Sequence, residues 1–248
     1  MAATPLVLLH PFPFDATFWD DTRALLERGR TVLAPDFPGF GHAAEQPGWG
    51  VDDAADAVAG LITREAGGRA AVCGLSLGGY VAMAIALRHP QVVAGLVLAN
   101  TRAEADDEEV RAGRDRGTVM IRAEGTPPYL DGLIPRLLSP DAPEAVRRRA
   151  REIADPQPGD AVCAALDALR DRPDRRAALG SITAPALVIA GADDALTPPA
   201  LAEVMVQGIP GAESATIAGA GHLSALERPE EFAARVDQFL RERVDAAG

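Results

Sequence analysis

Ser76 lies in the stretch Gly74-Leu75-Ser76-Leu77-Gly78-Gly79, with a glycine two positions away on either side. Between a strand and a helix, G-x-S-x-G is the spacing of a nucleophile elbow, a sharp turn that lifts a hydroxyl out of the chain. The plainer reading is a glycine-rich turn with a bystander serine. A serine hydroxyl is a weak nucleophile at neutral pH and needs a base, so the four histidines come next. His89 precedes Pro90 at a helix end, where a cation suits the helix dipole and no further role is needed. His10 and His42 stand in loops, whereas His222 stands in AGAGHLSALERP, just after the last strand-like run. A base needs a carboxylate to fix its tautomer and to stabilise its imidazolium. GADDALTP supplies two, Asp193 and Asp194. Serine, then aspartate, then histidine is the chain order that accompanies this elbow.

These groups can meet only if the elements before them end at one edge of a sheet. The chain contains short, continuous apolar runs, each followed by a turn and a helical stretch: 6–9, 31–34, 70–73, 95–99, 186–190 and 214–218. Strands apolar at every position are buried on both faces, as parallel sheets require. Alternation with helices then implies an α/β architecture with helices on both faces of the sheet. Residues 15–28 place Phe18, Thr22, Leu25 and Leu26 on one helical face, and Gly29 stops them. Residues 78–89 form a helix that ends before Pro90. The last helix starts near Pro229, with Phe232, Val236, Phe239 and Leu240 on one stripe. Residues 101–180 carry no strand-like run and are dense in Arg, Asp, Glu and Pro. They are expected to be a helical insertion over the sheet's edge within one domain spanning 1–248, and their charge runs to be solvated helix faces.

Composition narrows the function class. A net charge of −12 over 248 residues argues against a nucleic-acid binder, which needs a basic stripe. The two cysteines, Cys73 and Cys163, show neither C-x-x-C nor Cys/His spacing. No metal, no cofactor and no disulfide framework is expected. The start of the chain lacks a cationic lead and a long apolar run, and no stretch reaches transmembrane length. The expected setting is therefore cytoplasmic, with a small molecule as the partner and neither nucleic acid nor membrane. Oligomeric state is not legible.

Taken together, HPFPFD (10–15), DFPGFGH (36–42), GLSLGG (74–79), GADDALTP (191–198) and GHLSALERPEEF (221–232) resemble the α/β-hydrolase superfamily over essentially the whole chain. The resemblance implies the α/β-hydrolase fold: a mostly parallel sheet of about six strands, flanked by helices and bearing a helical cap. The family's usual N-terminal hairpin is missing, because only nine residues precede the histidine loop. Its G-x-x-D pattern falls on Asp194 and its base on His222. An oxyanion hole takes the N–H after the nucleophile, from Leu77, and a second from the HPFP loop. Proline has no N–H, which leaves Phe12 between Pro11 and Pro13. Where the family carries His-Gly this chain reads His10-Pro11; His10 is expected to order the loop, and Asp36 the following turn.

Serine at the elbow sets the chain apart from relatives with an aspartate nucleophile. It is most similar to small carboxylesterases and the 3-oxoadipate enol-lactonase group. That implies hydrolysis of a small carboxylic ester or lactone through an acyl-enzyme on Ser76. A triad-bearing ligand receptor, an acyltransferase, a cofactor-free perhydrolase or a lyase would use the same residues. Arg102 is a candidate for binding a substrate carboxylate, with an insertion salt bridge as the alternative. Phe14, with Leu133 and Leu137, is a candidate acyl-site wall, with ordinary apolar packing as the alternative.

Overall fold

The computed structural model describes residues 3–247. Six strands form one sheet: β1 (Leu6–Leu9), β2 (Val32–Leu33), β3 (Ala70–Leu75), β4 (Val93–Ala99), β5 (Ala186–Gly191) and β6 (Glu213–Ile217). Their order is β2-β1-β3-β4-β5-β6, with every neighbouring pair parallel. The expected α/β fold and its strand number are therefore observed. The inner strands β1, β3 and β5 are buried at every position. At the edges the expectation of two-sided burial does not hold: β2 is two residues long and β6 alternates between covered and exposed positions. An edge strand lacks a neighbour on one side, so helices cover it less completely.

Alternate residues of each inner strand feed two apolar layers. Val7, Leu9, Val72, Leu96 and Val188 pack on one face, whereas Leu6, Leu8, Cys73, Val97 and Ile189 pack on the other. The first face is covered by α2 (Val51–Glu65) and α3 (Leu77–Arg88), and by Met205 of α8 (Pro199–Gly208). The second is covered by α1 (Asp20–Leu26) and α10 (Pro229–Phe239). Phe18, Thr22 and Leu26 are buried as their spacing implies, but Leu25 is only half-buried, and a 3-10 turn at Ala16–Trp19 precedes α1. Phe232, Val236, Phe239 and Leu240 are all buried. Helix α2 is only faintly marked in the sequence, although Val51, Ala54, Ala55, Val58, Ala59 and Ile62 form a helical stripe. Alanine is small, and such a stripe reads as weakly apolar.

Between β4 and β5 the chain forms four helices and no strand: α4 (Glu108–Glu124), α5 (Thr126–Leu137), α6 (Glu144–Ala154) and α7 (Gly159–Arg170). Of the arginine run Arg147-Arg148-Arg149 on α6, Arg148 is exposed and pairs with Glu152 and Arg149 pairs with Asp20, but Arg147 is half-buried and donates to the carbonyls of Ser139, Pro140 and Ala142. Among the described residues no helix is long and apolar enough to cross a membrane. A short helix, α9 (Ser224–Glu227), leads into α10.

Strand register sets the height at which each loop leaves the sheet. Leu9 is level with Gly74, Leu75 with Ala99, Ala99 with Ile189, and Gly191 with Ile217. The loops bearing Phe12, Ser76, Arg102, Asp194 and His222 thus all leave the carboxyl edge. At the centre, α3 folds back over β3 so closely that a Cβ on Gly74 would stand 2.0 Å from the Gly78 carbonyl oxygen. Gly74→Ala should lower unfolding stability in urea by at least about 1–3 kcal/mol, the usual cost of overpacking. Gly29 has nothing within 4 Å of the same position, so Gly29→Ala should stay within about 0.5 kcal/mol of wild type.

Candidate active site

Ser76 joins β3 to α3 with φ 54° and ψ −111°, a backbone conformation that side-chain-bearing residues rarely adopt. Its surroundings hold it there. The Ser76 N–H donates to the Ala99 carbonyl (2.9 Å), and the Ser76 carbonyl accepts from Tyr80 N–H and from Thr101 Oγ1 (3.1 and 3.0 Å). Glycine at 78 is required too, because a Cβ there would stand 2.0 Å from the Leu9 carbonyl oxygen of β1. The hydroxyl is left at the sheet's edge, 2.8 Å from His222 Nε2.

His222 is buried in the loop after β6, and its Nδ1 lies 2.9 Å from Asp194 Oδ2. An ionised carboxylate can only accept, so Nδ1 carries the proton and Nε2 is free to accept from Ser76. Asp194 is buried, while Asp193 beside it is exposed. Five donors converge on Asp194: Leu196 N–H and Thr197 N–H on Oδ1 (2.9 Å each), and Thr197 Oγ1, Asn100 Nδ2 and His222 Nδ1 on Oδ2 (2.6, 2.9 and 2.9 Å). Burial pushes its carboxyl up, but the hydrogen bonds and charge of His222, with those from Asn100 and Thr197, win and hold it at about 2.

Several of these partners were not singled out from the sequence. Asn100, at a positive φ of 45°, also donates to the Gly221 carbonyl (3.1 Å) and accepts from Ser224 Oγ (2.5 Å). It thus ties Asp194 to the loop that carries His222. Glu227 is buried and accepts from Gly221 N–H and Ser139 N–H (2.8 and 2.9 Å), joining that loop to the segment after α5. Asn100 follows a strand at the same edge as Ser76, a positional signal that could have found it. Glu227 stands at the E-x-P step of GHLSALERPEEF, the stretch whose resemblance placed the base at His222.

The loop after β1 is organised by His10. Phe37 N–H donates to His10 Nε2 (2.9 Å), so Nδ1 carries the proton and donates to the Pro11 carbonyl (3.0 Å). Burial lowers the His10 pKa and favours this neutral form. Asp36 accepts from Ala16 N–H and His42 N–H, as a loop-ordering residue should. His89 pairs with Asp56 at the surface, and His42 is exposed. The Phe12–Pro13 bond is cis. Neither Phe12 N–H nor Leu77 N–H has an acceptor among the described residues.

A cavity of about 540 Å³ opens in front of Ser76 and His222. Phe12, Tyr80, Tyr129, Leu133, Leu137 and Arg102 are on its walls. Phe14 is not on them: Phe14 N–H turns back to the Pro11 carbonyl, and the ring is fully buried 5.4 Å from Phe18. It packs in the layer beneath the sheet, which is the apolar alternative for this residue. Arg102 makes the salt bridge of its alternative reading, to Asp106 (2.5 Å), and also lies on the cavity wall.

A model of the alpha/beta hydrolase family matches residues 6–235. The chain is 32% identical over 246 residues to a pimeloyl-acyl-carrier-protein methyl ester esterase of Neisseria meningitidis serogroup C, covering 96% of this chain and 94% of that protein. A thermophilic esterase from Thermogutta terrifontis, solved with malate bound, superimposes with a TM-score of 0.94 at 33% identity, over 98% of this chain and 91% of that one. For the enol-lactonase of Burkholderia xenovorans LB400 the values are 0.89 and 30%, over 97% and 92%. With strand order, elbow and family model in agreement over nearly its whole length, this chain belongs to the alpha/beta hydrolase family.

Proposed function

We propose that this ester hydrolase works through an acyl-enzyme on Ser76, and that Asp194, His222 and Ser76 act as one catalytic unit. The observation that carries the proposal is the unbroken line from Asp194 Oδ2 to His222 Nδ1 (2.9 Å) and from His222 Nε2 to Ser76 Oγ (2.8 Å), opening on the cavity. Ser76 Oγ attacks the ester carbonyl carbon while its proton passes to His222 Nε2. The carbonyl π electrons move onto oxygen, and the N–H groups of Phe12 and Leu77 receive that charge. Collapse of the intermediate breaks the bond to the leaving oxygen, which takes the proton from His222. A water then repeats the sequence on the acyl-enzyme, releasing the carboxylic acid and restoring Ser76. Asp194 stays ionised throughout and holds the imidazole in the tautomer that the first step needs. Residues 101–180 serve in this scheme as the cap of one catalytic domain, roofing the acyl site with Leu133 and Leu137.

Hydrolysis of p-nitrophenyl butyrate tests the assignment. Ser76→Ala should lower kcat by about 10⁶ and abolish fluorophosphonate labelling. Asp194→Asn should cost roughly 10⁴, whereas Asp193→Asn, at an exposed carboxyl, should stay near wild type. If Asp193→Asn proved the more damaging change, the choice of acid would be wrong.

The same acid gives a stability test with a definite sign. Its folded-state pKa, about 2, lies below the ordinary 3.8, so the unfolded chain binds the proton more readily. The contribution is complete above the ordinary value and is lost as pH falls through about 2. Urea melts between roughly pH 4 and pH 2 should show wild type losing stability more steeply than Asp194→Asn. Parallel curves would mean that the folded-state carboxyl is not depressed.

A further inference from the structure

We propose that the cavity in front of Ser76 selects esters whose acyl chain ends in a carboxylate, and that Arg136 is the guanidinium that receives it. This rests on the ester hydrolase reading above and names its substrate class. Three arginines line the cavity: Arg102 from the loop after β4, Arg114 from α4 and Arg136 from α5. No aspartate or glutamate lines it with them. In a protein with 36 acidic residues against 24 basic ones, a wall of only positive charge runs against the overall composition.

Structural need does not account for all of this charge. Asp106, whose side chain is fully buried, takes Arg102 Nη2 and Arg172 Nη2 on Oδ1 (2.5 and 2.7 Å) and Arg114 Nε on Oδ2 (2.7 Å). A single carboxylate thus stands against three guanidinium groups and leaves the cluster positive. Glu104 and Arg175 border a small void behind Arg102, and Arg175 pairs with Asp52, so these groups do not reverse the sign. Arg172 is buried, stacks on the Tyr80 ring at 4.3 Å and would serve a purely structural role. Arg102 and Arg114 instead keep part of their side chains exposed on the cavity wall, and Arg102 Nε has no hydrogen-bond partner. Arg136 is exposed and has no carboxylate partner among the described residues.

The rest of the wall is largely apolar, with Phe12, Leu133, Leu137 and Leu169 among its residues. An apolar chain with an anionic end fits both halves of this lining. A planar guanidinium matches a carboxylate in a two-pronged arrangement, and a cleft with low-dielectric walls concentrates its field on a bound anion. Arg136 is the group free to make that pair without giving up another.

Monoethyl adipate and ethyl hexanoate carry acyl chains of equal length and differ at the far end by a carboxylate. Their kcat/KM values, followed by pH-stat, give a ratio that reports acid selection. Wild type should favour monoethyl adipate, and Arg136→Gln should cut the ratio by about tenfold or more, the range for losing a charged hydrogen bond. Arg136→Lys should recover part of it, and Arg122→Gln, an exposed site outside the cavity wall, should leave it unchanged. Equal wild-type values for the two esters, or a ratio indifferent to Arg136→Gln, would overturn the proposal while leaving ester hydrolysis intact. Inorganic phosphate competing with monoethyl adipate more strongly than adipate does would also overturn it, assigning the arginines to phosphate. Hydrolysis of neither ester, with no fluorophosphonate capture at Ser76, would instead remove the ester hydrolase reading itself.

Discussion

The close approach of α3 to β3 is the constraint on which the rest of the site depends. Helix and strand share a contact in which Gly74 faces the Gly78 carbonyl, and Gly78 in turn faces the Leu9 carbonyl of β1. Neither gap admits a methyl group. Only with both gaps closed can the chain reverse within Ser76 itself, at φ 54°. The strain at that residue is held by hydrogen bonds from the neighbouring strand end, through Ala99 and Thr101. A local conformational cost is thereby spread over three strands, and the serine has no cheaper position to relax into.

Register extends this constraint across the sheet. Parallel strands send every following loop to the same edge, and the pairings of Leu9, Gly74, Ala99, Ile189 and Gly191 keep those loops level. Asn100 uses the level placement directly, bridging Asp194 after β5 to the loop after β6. A Cβ on Gly191 would stand 2.1 Å from the Gly221 carbonyl oxygen. The loops that carry Asp194 and His222 are therefore packed against one another as tightly as the elbow is packed against its strand.

This explains which parts of the molecule were legible from the sequence. Inner parallel strands are apolar at nearly every position, so their runs stood out more clearly than those of the edge strands β2 and β6, and the elbow glycines announced their own crowding. Ser76, Asp194 and His222 could be read because each is a reactive type at the end of such a run. Asn100, Thr197, Ser224 and Glu227 are polar residues of ordinary kinds, and their partners lie up to 124 positions away along the chain. Apart from the position of Asn100 at a strand end, three-dimensional packing identifies them. Phe14 shows the opposite case: an apolar type in the HPFPFD loop fits a wall or a core equally well, and a single turn sends its ring into the layer opposite Phe12.

Two buried carboxylates, Asp194 and Asp106, show how one physical device serves two ends. Both are pushed up by burial and pulled down to about 2 by partners, His222, Asn100 and Thr197 for one, Arg172 and Arg114 for the other. Around Asp194 most donors are neutral, so the carboxylate's negative charge is retained beside the His222 ring. Around Asp106 the donors are cations and outnumber it, so the surplus is positive and faces the cavity. A buried charge is costly unless paired, and the sign left over after pairing depends on which partners are recruited. Here the leftover signs are opposite: negative beside the His222 imidazole, and positive on the cavity wall.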